Sequence, residues 1–434
     1  MIGNFPITVD LPSEEILSSC IHCGMCLPVC PTYNMTFDEV SSPRGRIRLI
    51  KSVLEGSLEI TETFIHEMNF CLDCQACESA CPAGIKYGSL VEAARVQIEN
   101  SDKVSQLSKF IKKVLFRKVI PNFRFLKFLS KLLRLYQKSS LRRAFYKIGL
   151  LKVFSKKLPE IDKLSPKISY FFSDEIFPEF VEAKNEKRFR VLFPVGCLMN
   201  VMFADVNKDT VELLTKLGCD VIIPPNQTCC GSLQSHNGDM EIARTLAKKT
   251  IDLFVRYDFD FIISNSAGCG AFMKEYGHLL QNELAYAERA KVFSSKVKDI
   301  MEFLYENFDI SRYEFLNNSI ITYHDACHLA HTQKIVDEPR KVLQQIKNLN
   351  YVPLNEATWC CGSAGIYNVV KYDYSMIILE RKMNNIKNTN AKIVLTGNPG
   401  CLGQLRYGAE RFNVDVQVLH PVTFLNKIIS NGKI

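Results

Sequence analysis

The sequence has no run of about 18 consecutive apolar residues, the length that a transmembrane helix needs, so no membrane-spanning helix is predicted. Residues 1–15 contain acidic residues and two prolines but no apolar core preceded by basic residues, so no signal peptide is predicted either. No Walker loop, Gly-x-Ser-x-Gly elbow or His-Glu-x-x-His helix is present. Gly268-Cys269-Gly270 begins like a dinucleotide fingerprint, but Met273 occupies the place of the third glycine, so no flavin is expected on this chain.

Acidic residues are missing from one long segment. Residues 103–159 contain 17 Lys and Arg and no Asp or Glu, although the formal net charge of the whole chain is only +8. Apolar residues recur in this segment at spacings of three and four, which predicts an amphipathic helix with a cationic rim. They include Phe125, Phe128, Leu129, Leu132, Leu133 and Tyr136. Such a helix can lie in the headgroup layer of a membrane or pack on the protein's own core or on an acidic partner subunit. No nucleic-acid recognition motif accompanies the charge, so nucleic acid is not expected as a partner.

Cysteine, by contrast, is abundant, with 17 residues in a chain of 434. Two runs share the spacing Cys-x2-Cys-x2-Cys-x3-Cys-Pro, which is typical of two 4Fe-4S clusters in which the fourth cysteine of each run reaches the other cluster. We therefore predict a first cysteine set of Cys20, Cys23, Cys26 and Cys81, and a second cysteine set of Cys71, Cys74, Cys77 and Cys30. A structural zinc site is the alternative, but two complete runs favour iron and sulfur.

The C-terminal half repeats one pattern twice. Apolar runs near Val191, Val221 and Phe261 predict buried parallel strands, and runs near Ile320, Tyr351 and Ile393 predict their counterparts. A cysteine follows each strand: Cys197, Cys229, Cys230 and Cys269 in the first repeat, and Cys327, Cys360, Cys361 and Cys401 in the second. Corresponding cysteines are 130 to 132 residues apart, which indicates an internal duplication. Because parallel strands end at one rim, the four cysteines of each repeat are expected to meet, either as ligands of a further cluster or as buried thiols.

A chain of this length exceeds what one hydrophobic core usually supports. We predict an α+β multidomain fold with four parts. Residues 1–100 form a helical, ferredoxin-like domain with two 4Fe-4S clusters, and residues 101–187 form a basic helical linker. Residues 188–315 and 316–434 form the two α/β cysteine-rich repeats. So many cysteines without a signal peptide predict a reducing, cytoplasmic environment.

Both cysteine runs, the insert Pro43-Arg44-Gly45-Arg46 and the segment after Cys81 resemble the iron-sulfur subunit of bacterial glycolate oxidase. The wider group includes the iron-sulfur subunits of anaerobic glycerol-3-phosphate dehydrogenase and of lactate-utilisation complexes. The two repeats resemble the cysteine-rich CCG domain, which also occurs in heterodisulfide reductases. The resemblance covers most of the chain except residues 103–187. In that family a fifth cysteine completes the site of a non-cubane cluster, whereas Phe272 and Gln404 stand in its place here.

The resemblance implies an electron-transfer subunit of a flavin-dependent glycolate (2-hydroxy acid) oxidase. Such a subunit relays electrons from a separate FAD-containing subunit towards the membrane quinone pool and is not expected to be active alone. It is expected on the inner face of the cell membrane as a peripheral protein. No catalytic residue is nominated in this chain.

Other functions remain open from the sequence. The partner enzyme can instead oxidise glycerol 3-phosphate or lactate. A thiol-disulfide reductase resembling heterodisulfide reductase would use Cys229-Cys230 or Cys360-Cys361 at a catalytic cluster, and a scaffold would leave these cysteines inert. Three histidines flank Cys327, and their role is either ordinary hydrogen bonding or the carrying of protons or tuning of a nearby metal: His324, His328 and His331.

Overall fold

The computed structural model describes residues 3–431. The N-terminal part is helical, and its helices are short because the two cysteine runs interrupt them. Ser13, Ser42 and Thr61 cap three of these helices by accepting hydrogen bonds from backbone N–H groups of the first turn. The helices are α1 (Glu14–Ser18), α2 (Pro31–Thr36), α3 (Pro43–Leu54), α4 (Glu62–Phe70), α5 (Ala76–Ser79) and α6 (Tyr87–Asn100), with a 3-10 turn at Glu39–Ser41. Helices α3, α4 and α6 form its core, in which Ile50, Phe64 and Leu90 are fully buried.

The basic linker is also helical. Its helices are α7 (Gln106–Val114), α8 (Phe123–Lys138), α9 (Ser140–Lys147), α10 (Leu150–Phe154), α11 (Leu158–Leu164) and α12 (Ser173–Ile176), with a π-helical turn at Leu115–Val119 after α7. Between residues 3 and 431, none of the helices combines the length and the apolar character that crossing a membrane requires.

The first repeat is an α/β unit around a five-stranded sheet. Its elements are β1 (Phe180–Val181), β2 (Phe189–Leu192), α13 (Cys197–Met202), α14 (Ala204–Lys216), β3 (Cys219–Ile222), α15 (Ser232–His236), α16 (Met240–Phe254), β4 (Phe261–Ser264), α17 (Ala267–Lys274), α18 (Tyr276–Leu279), α19 (Ala287–Ser295), β5 (Val297–Asp299) and α20 (Ile300–Asn307). The strand order is β1-β3-β2-β4-β5, and only the edge strand β1 is antiparallel to its neighbour.

The second repeat has a smaller, fully parallel sheet of order β6-β7-β8. Its elements are β6 (Ile321–Tyr323), a π-helical turn at His328–Thr332, α21 (Asp337–Gln344), α22 (Tyr367–Val370), α23 (Tyr372–Asn388), β7 (Ile393–Leu395), α24 (Pro399–Arg411), β8 (Gln417–Leu419) and α25 (Pro421–Asn431). The predicted strand near Tyr351 is reduced to a single bridge with Ile321, because Pro353 has no N–H to continue the ladder. This bridge lies where β3 lies in the first repeat, so both repeats share one topology.

The predicted α+β multidomain fold, with its helical N-terminal domain, helical linker and duplicated α/β half, is confirmed. The domain boundaries stay predictions. The edge strand β1 lies within residues 101–187 and pairs with β3, so the sheet starts inside the segment that the sequence assigns to the linker.

The N-terminal domain packs against the edge of the repeats where the parallel strands end. His331 of the second repeat contacts Ser79 (Nδ1 to Oγ, 3.0 Å), and Arg95 donates to the backbone carbonyl of His236 in the first repeat (2.9 Å). Gly238 makes this approach possible: its φ is +82°, and a Cβ there would lie 2.6 Å from the carbonyl oxygen of Arg95. The two cysteine-bearing regions therefore face each other.

Candidate functional site

The eight cysteines of the N-terminal domain line two small pockets. The first pocket has a volume of about 30 Å³ and contains the complete first cysteine set, with Cys77 at its border. The second has a volume of about 20 Å³ and contains the complete second cysteine set. The structure thus brings together each predicted group of four, including the two cysteines exchanged between the runs. The identity of the ligands to each cluster stays a prediction.

The two cysteine loops have the same backbone conformation. His22 and Gly24 have positive φ angles of 53° and 85°, and the equivalent residues Asp73 and Gln75 have φ angles of 53° and 58°. Two left-handed residues per loop curl the backbone, so three cysteines of one run point into one pocket. Only one of these four residues is glycine, so the other three hold a conformation that side chains disfavour.

The chemistry of the second cysteine set fits a metal cluster. Burial raises the pKa of Cys74 and of Cys77 well above the usual thiol range, so both would be neutral unless a bound cation held them as thiolates. Cys71 accepts a hydrogen bond from the backbone N–H of Asp73 (3.3 Å) and another from the hydroxyl of Tyr87 (3.6 Å). Donors around sulfur are a means by which proteins tune such clusters.

The two arginines of the insert have different environments. Arg46 is fully buried beside the second cysteine set, where it pairs with Glu67 (3.1 Å) and donates to the hydroxyl of Thr32 (3.0 Å). Arg44 is partly exposed and pairs with Glu39 at 2.6 Å. Arg46 therefore supplies a fixed positive charge next to this pocket, whereas Arg44 borders the first pocket and donates to the backbone carbonyl of His22 (3.0 Å).

The eight cysteines of the two repeats line one central cavity of about 580 Å³. They enter it from the carboxyl ends of the strands, as predicted, and form two chains of neighbours. In the first repeat, the sulfur atoms of Cys197 and Cys229 are 3.7 Å apart, and in the second, those of Cys361 and Cys401 are 3.5 Å apart. The remaining cysteine, Cys219, is buried within β3 and is not among the cavity-lining residues.

Two of the four cysteines of the first repeat favour the thiolate form, whereas the pKa values of Cys197 and Cys230 are raised well above the usual thiol value. The thiols of Cys197 and Cys230 donate hydrogen bonds that lower the pKa of Cys229 well below its usual value, and Cys230 likewise lowers the pKa of Cys269. A thiolate is the form of cysteine that binds a metal. This repeat therefore has the donor chemistry of a metal site even though Phe272 replaces the fifth cysteine.

The second cysteine set and the second repeat meet directly. Cys74 packs in one apolar cluster with Cys360 and Cys327. Burial, followed by the negative charge of a Cys327 thiolate, raises the pKa of Cys74. The sulfur atoms of the two residues are therefore close enough to interact electrostatically. The second pocket and the central cavity are thus adjacent.

A buried charged group that the sequence did not predict joins the same regions. Asp73, from the second run, lies 3.2 Å from Nδ1 of His236 and 3.5 Å from Arg95, and Glu92 of α6 binds the same Nδ1 at 2.5 Å. Burial opposes the charge on His236, but Glu92 and Asp73 outweigh it and raise the pKa of His236 to about 10. Two features of the sequence could have indicated this buried charged group. One is the acidic residue inside a cysteine run, and the other is the presence of charged residues on the otherwise apolar α6.

The three histidines around Cys327 have separate environments. Nε2 of His328 contacts the backbone carbonyl of Asp73 (3.0 Å), and His331 bonds to Ser79, so both join the N-terminal domain to the second repeat. His324 is fully buried behind the cavity, within 4.8 Å of the sulfur atoms of Cys361 and Cys401.

The amphipathic helix α8 has two apolar sides. Leu126 and Leu133 pack on the protein, in a cluster around Phe172. Phe128 and Leu132, which belong to the predicted apolar face, are 55% and 49% exposed. Further large apolar side chains of the linker are exposed, including Leu107, Phe110, Ile111, Phe125, Leu135, Leu141 and Ile148. Much of the predicted apolar face is therefore uncovered.

Comparison with protein families covers each part of the chain. The family of 4Fe-4S dicluster domains matches residues 16–85, and the cysteine-rich domain matches residues 191–274 and 321–406. The linker region of glycolate oxidase iron-sulfur subunits matches residues 107–165, so the similarity extends through the basic segment that the motifs alone leave out. These matches confirm the predicted iron-sulfur clusters and the two cysteine-rich repeats.

Similarity to individual proteins supports the same family. The chain is 40% identical over 400 residues to the probable glycolate oxidase iron-sulfur subunit of Bacillus subtilis, covering 92% of this chain and 90% of that protein. It is 32% identical to the glycolate oxidase iron-sulfur subunit of Escherichia coli, covering 90% of each chain. Lactate utilization protein A of Oceanobacillus iheyensis is 29% identical over 54% of this chain and 94% of its own length. These similarities identify an iron-sulfur subunit of an oxidoreductase, and the chain belongs to the family of glycolate oxidase iron-sulfur subunits.

Proposed function

We propose that this chain is the electron-transfer subunit of a flavin-dependent glycolate (2-hydroxy acid) oxidase and conducts electrons from a separate FAD-containing subunit to the membrane quinone pool. The observation that carries the proposal is that Cys74 lies in one buried apolar cluster with Cys360, against which Cys327 packs. This packing joins the ferredoxin-like domain to the second repeat through sulfur-bearing side chains. The names of the relatives support glycolate as the substrate of the partner.

The first and second cysteine sets hold the two 4Fe-4S clusters. When bound, such a cluster takes up or releases one electron at a time, whereas a flavin accepts two electrons as hydride. The protein keeps the second set away from water, since Cys30, Cys74 and Cys77 are buried. Arg46 balances part of the thiolate charge from within the fold.

Electrons enter at the first cysteine set. Cys23 is exposed, and Ile21 and Met25, which border the same pocket, are 70% and 59% exposed. Exposed apolar side chains around a redox site are suited to a partner protein that must approach the pocket closely. We therefore assign the docking of the flavoprotein to this surface.

The repeats supply the next site. Their eight cysteines hold a further iron-sulfur centre in the central cavity, which is about 580 Å³ against about 30 and 20 Å³ for the two pockets of the N-terminal domain. Gln404, which replaces a fifth cysteine, is engaged with Asn368 and Ser375 and does not act as a ligand.

The linker holds the assembly on the membrane. The exposed apolar residues of α7 to α9 enter the headgroup layer of anionic lipid, and the cations around them meet the lipid charge. Part of the positive charge stays within the protein, since Lys127 pairs with Asp174 and Arg142 with Asp162. Other cations of the linker have no ion pair with any residue of the described chain and are available to interact with anionic lipid headgroups: Lys113, Arg124 and Lys147.

The relay is tested by substitution in the cavity. Cys361→Ala should leave the iron of the N-terminal domain in place, about eight atoms given four per cubane, and abolish electron delivery from the reduced flavoprotein to a quinone analogue. Cys219→Ala is the matched control, because it removes a buried cysteine that lies outside the cavity. Iron content and stopped-flow quinone reduction with the co-purified flavoprotein measure both effects. Unchanged quinone reduction in Cys361→Ala would contradict the relay and favour an inert scaffold.

Membrane attachment has its own test. Replacing Phe128 and Leu132 by Ser should weaken binding to anionic liposomes by about tenfold or more, since each exposed apolar side chain contributes on the order of 1–2 kcal/mol when buried. Wild-type binding should also weaken with added salt. Replacing Val255 and Leu284, which are exposed on the first repeat, is the control. Equal binding of both double variants in a flotation assay would exclude this anchor.

A second candidate is a thiol-disulfide reductase. The volume of the central cavity favours it, because a disulfide substrate can reach the cysteines of both repeats there. Turnover of disulfides by the reconstituted chain with a chemical one-electron donor such as reduced viologen, and without a flavoprotein, would establish this function in place of the relay.

A further inference from the structure

The side chain of His324 is a buried imidazole without a hydrogen bond of ordinary geometry. The residue follows β6 directly, and its backbone N–H donates to the carbonyl of Leu395 in β7 (2.9 Å), so the parallel sheet fixes its place. Its side chain is fully buried, and neither Nδ1 nor Nε2 makes a hydrogen bond of ordinary geometry with residues 3–431, although the ring interacts with the backbone carbonyl of Ala357. Buried polar atoms in proteins are almost always paired, and an unpaired one calls for a specific explanation such as an ion.

The neighbours of His324 are metal-ligating groups. A ring nitrogen of His324 and the sulfur atoms of Cys361 and Cys401 all lie within 4.8 Å of one another, and the two sulfur atoms are 3.5 Å apart. Ligands of one tetrahedral metal ion are separated by similar distances, since metal bonds to nitrogen and sulfur are about 2.0–2.3 Å long. An imidazole binds a metal through a ring nitrogen in its neutral form, so His324 offers a donor of the kind that such a site uses.

The two repeats differ at this position. Three residues before Cys327 stands His324, whereas three residues before Cys197 stands Pro194, which offers no nitrogen ligand. Both repeats also lack the fifth cysteine of the CCG pattern, and Gln404 is held by hydrogen bonds to Asn368 and Ser375. A nitrogen donor next to the cysteine chain is therefore a property of the second repeat.

We propose that His324 is a ligand of the iron-sulfur centre of the second repeat, where it binds together with Cys361 and Cys401 and takes the place of the absent fifth cysteine. The inference rests on the proposed cluster in this half of the chain and adds to it a mixed cysteine and histidine ligand set. Replacing a thiolate by a neutral imidazole removes negative charge from the site. It therefore raises the reduction potential of this centre relative to an all-cysteine site.

The test uses the full chain, purified without oxygen, and a spectroscopic signal that folding alone does not produce. Pulsed electron paramagnetic resonance of the reduced wild-type protein should show a strongly coupled nitrogen, which changes when histidine is labelled with nitrogen-15. His324→Gln should lose this coupling. His420→Gln should keep it, because His420 is an equally buried histidine of the same repeat whose ring nitrogens bond to the backbone of Asn265 and Val422.

A conservative variant covers the case in which His324→Gln does not fold. His324→Cys should keep the iron content of the wild type, lose the nitrogen coupling and titrate at a lower midpoint potential, because a thiolate replaces the imidazole. Iron well above eight atoms without any nitrogen coupling would overturn the role of His324 and leave the proposed cluster in place. Iron of only about eight atoms, or zinc in the second repeat, would overturn both.

Discussion

The two cysteine-bearing regions of the chain build their sites in opposite ways. In the N-terminal domain, three of the four cysteines in each pocket come from within seven consecutive residues, and the pockets are about 30 and 20 Å³. In the repeats, the cysteines of one site are separated by tens of residues and meet only because parallel strands end at one edge, around a cavity of about 580 Å³. A loop makes a small pocket, and a sheet edge makes a wide cavity.

The difference in volume suits the two kinds of site to different functions. The small pockets leave room for little beyond a cluster, which suits a site that only passes electrons. The central cavity has room for a cluster and a further molecule, which suits the site where electrons leave the chain. Cys74 connects the two kinds of site, because it belongs to the second pocket and packs against the second repeat.

The largest effect on electron transfer is expected from substitution of Cys74, which connects the two kinds of site. Cys74→Ala should remove the second cluster, lower the iron content by about four atoms and slow quinone reduction by at least about a hundredfold, since the path between the two regions is broken. Cys219→Ala should change neither quantity. Iron analysis and single-turnover kinetics with the flavoprotein measure the two. Full quinone reduction in a Cys74→Ala protein that has lost this iron would show that electrons leave without using the repeats.

A smaller effect is expected for the buried charge of the N-terminal domain. Arg46→Gln leaves Glu67 buried without its partner, which should cost about 3–5 kcal/mol of stability. Arg44→Gln removes a partly exposed ion pair with Glu39 and a hydrogen bond to the backbone carbonyl of His22, and should cost about 1–2 kcal/mol. Chemical denaturation, followed by the visible absorbance of the clusters, measures both. Similar losses in the two variants would mean that burial does not distinguish these arginines.

The smallest expected effect is a change in stability that depends on pH and arises at the contact between the two regions. His236 has a pKa of about 10 in the folded protein, above the usual value of 6.5, so its charge stabilises the fold fully below pH 6.5. This contribution is lost as the pH rises towards 10. His236→Gln should therefore lower the unfolding midpoint at pH 6, by the equivalent of about 2 kcal/mol for a charged hydrogen bond, and much less at pH 10. The exposed His278 serves as the control. A difference that is independent of pH would contradict the charged pair with Glu92 and Asp73.

The sequence predicted the parts of the site that depend on local spacing or on a general rule of topology. The spacing of each run grouped Cys81 with Cys20, and the structure places both in one pocket. The rule that parallel strands end at one rim predicted the meeting of the cysteines within each repeat. Neither rule depends on knowing how the domains are arranged.

Contacts between distant segments were not predictable in this way. Asp73 and His236 are 163 residues apart, and only the docking of the N-terminal domain brings them together. The strands β5 (Val297–Asp299) and β8 (Gln417–Leu419) were missed because they contain charged or polar residues that interrupt an apolar run. The burial of Arg46 could not be predicted from the sequence, because a basic residue in the first turn of a helix is more often at the surface.

The most direct test of the connected path is the magnetic interaction between the second cubane and the centre in the repeats, measured by electron paramagnetic resonance on the reduced full chain. The placement of Cys74 in one buried cluster with Cys327 and Cys360 predicts that the signal of the second cubane is broadened by the centre in the repeats. It also predicts that this broadening disappears in Cys361→Ala while the signal itself persists. A second-cubane signal that is identical in wild type and Cys361→Ala would contradict the account.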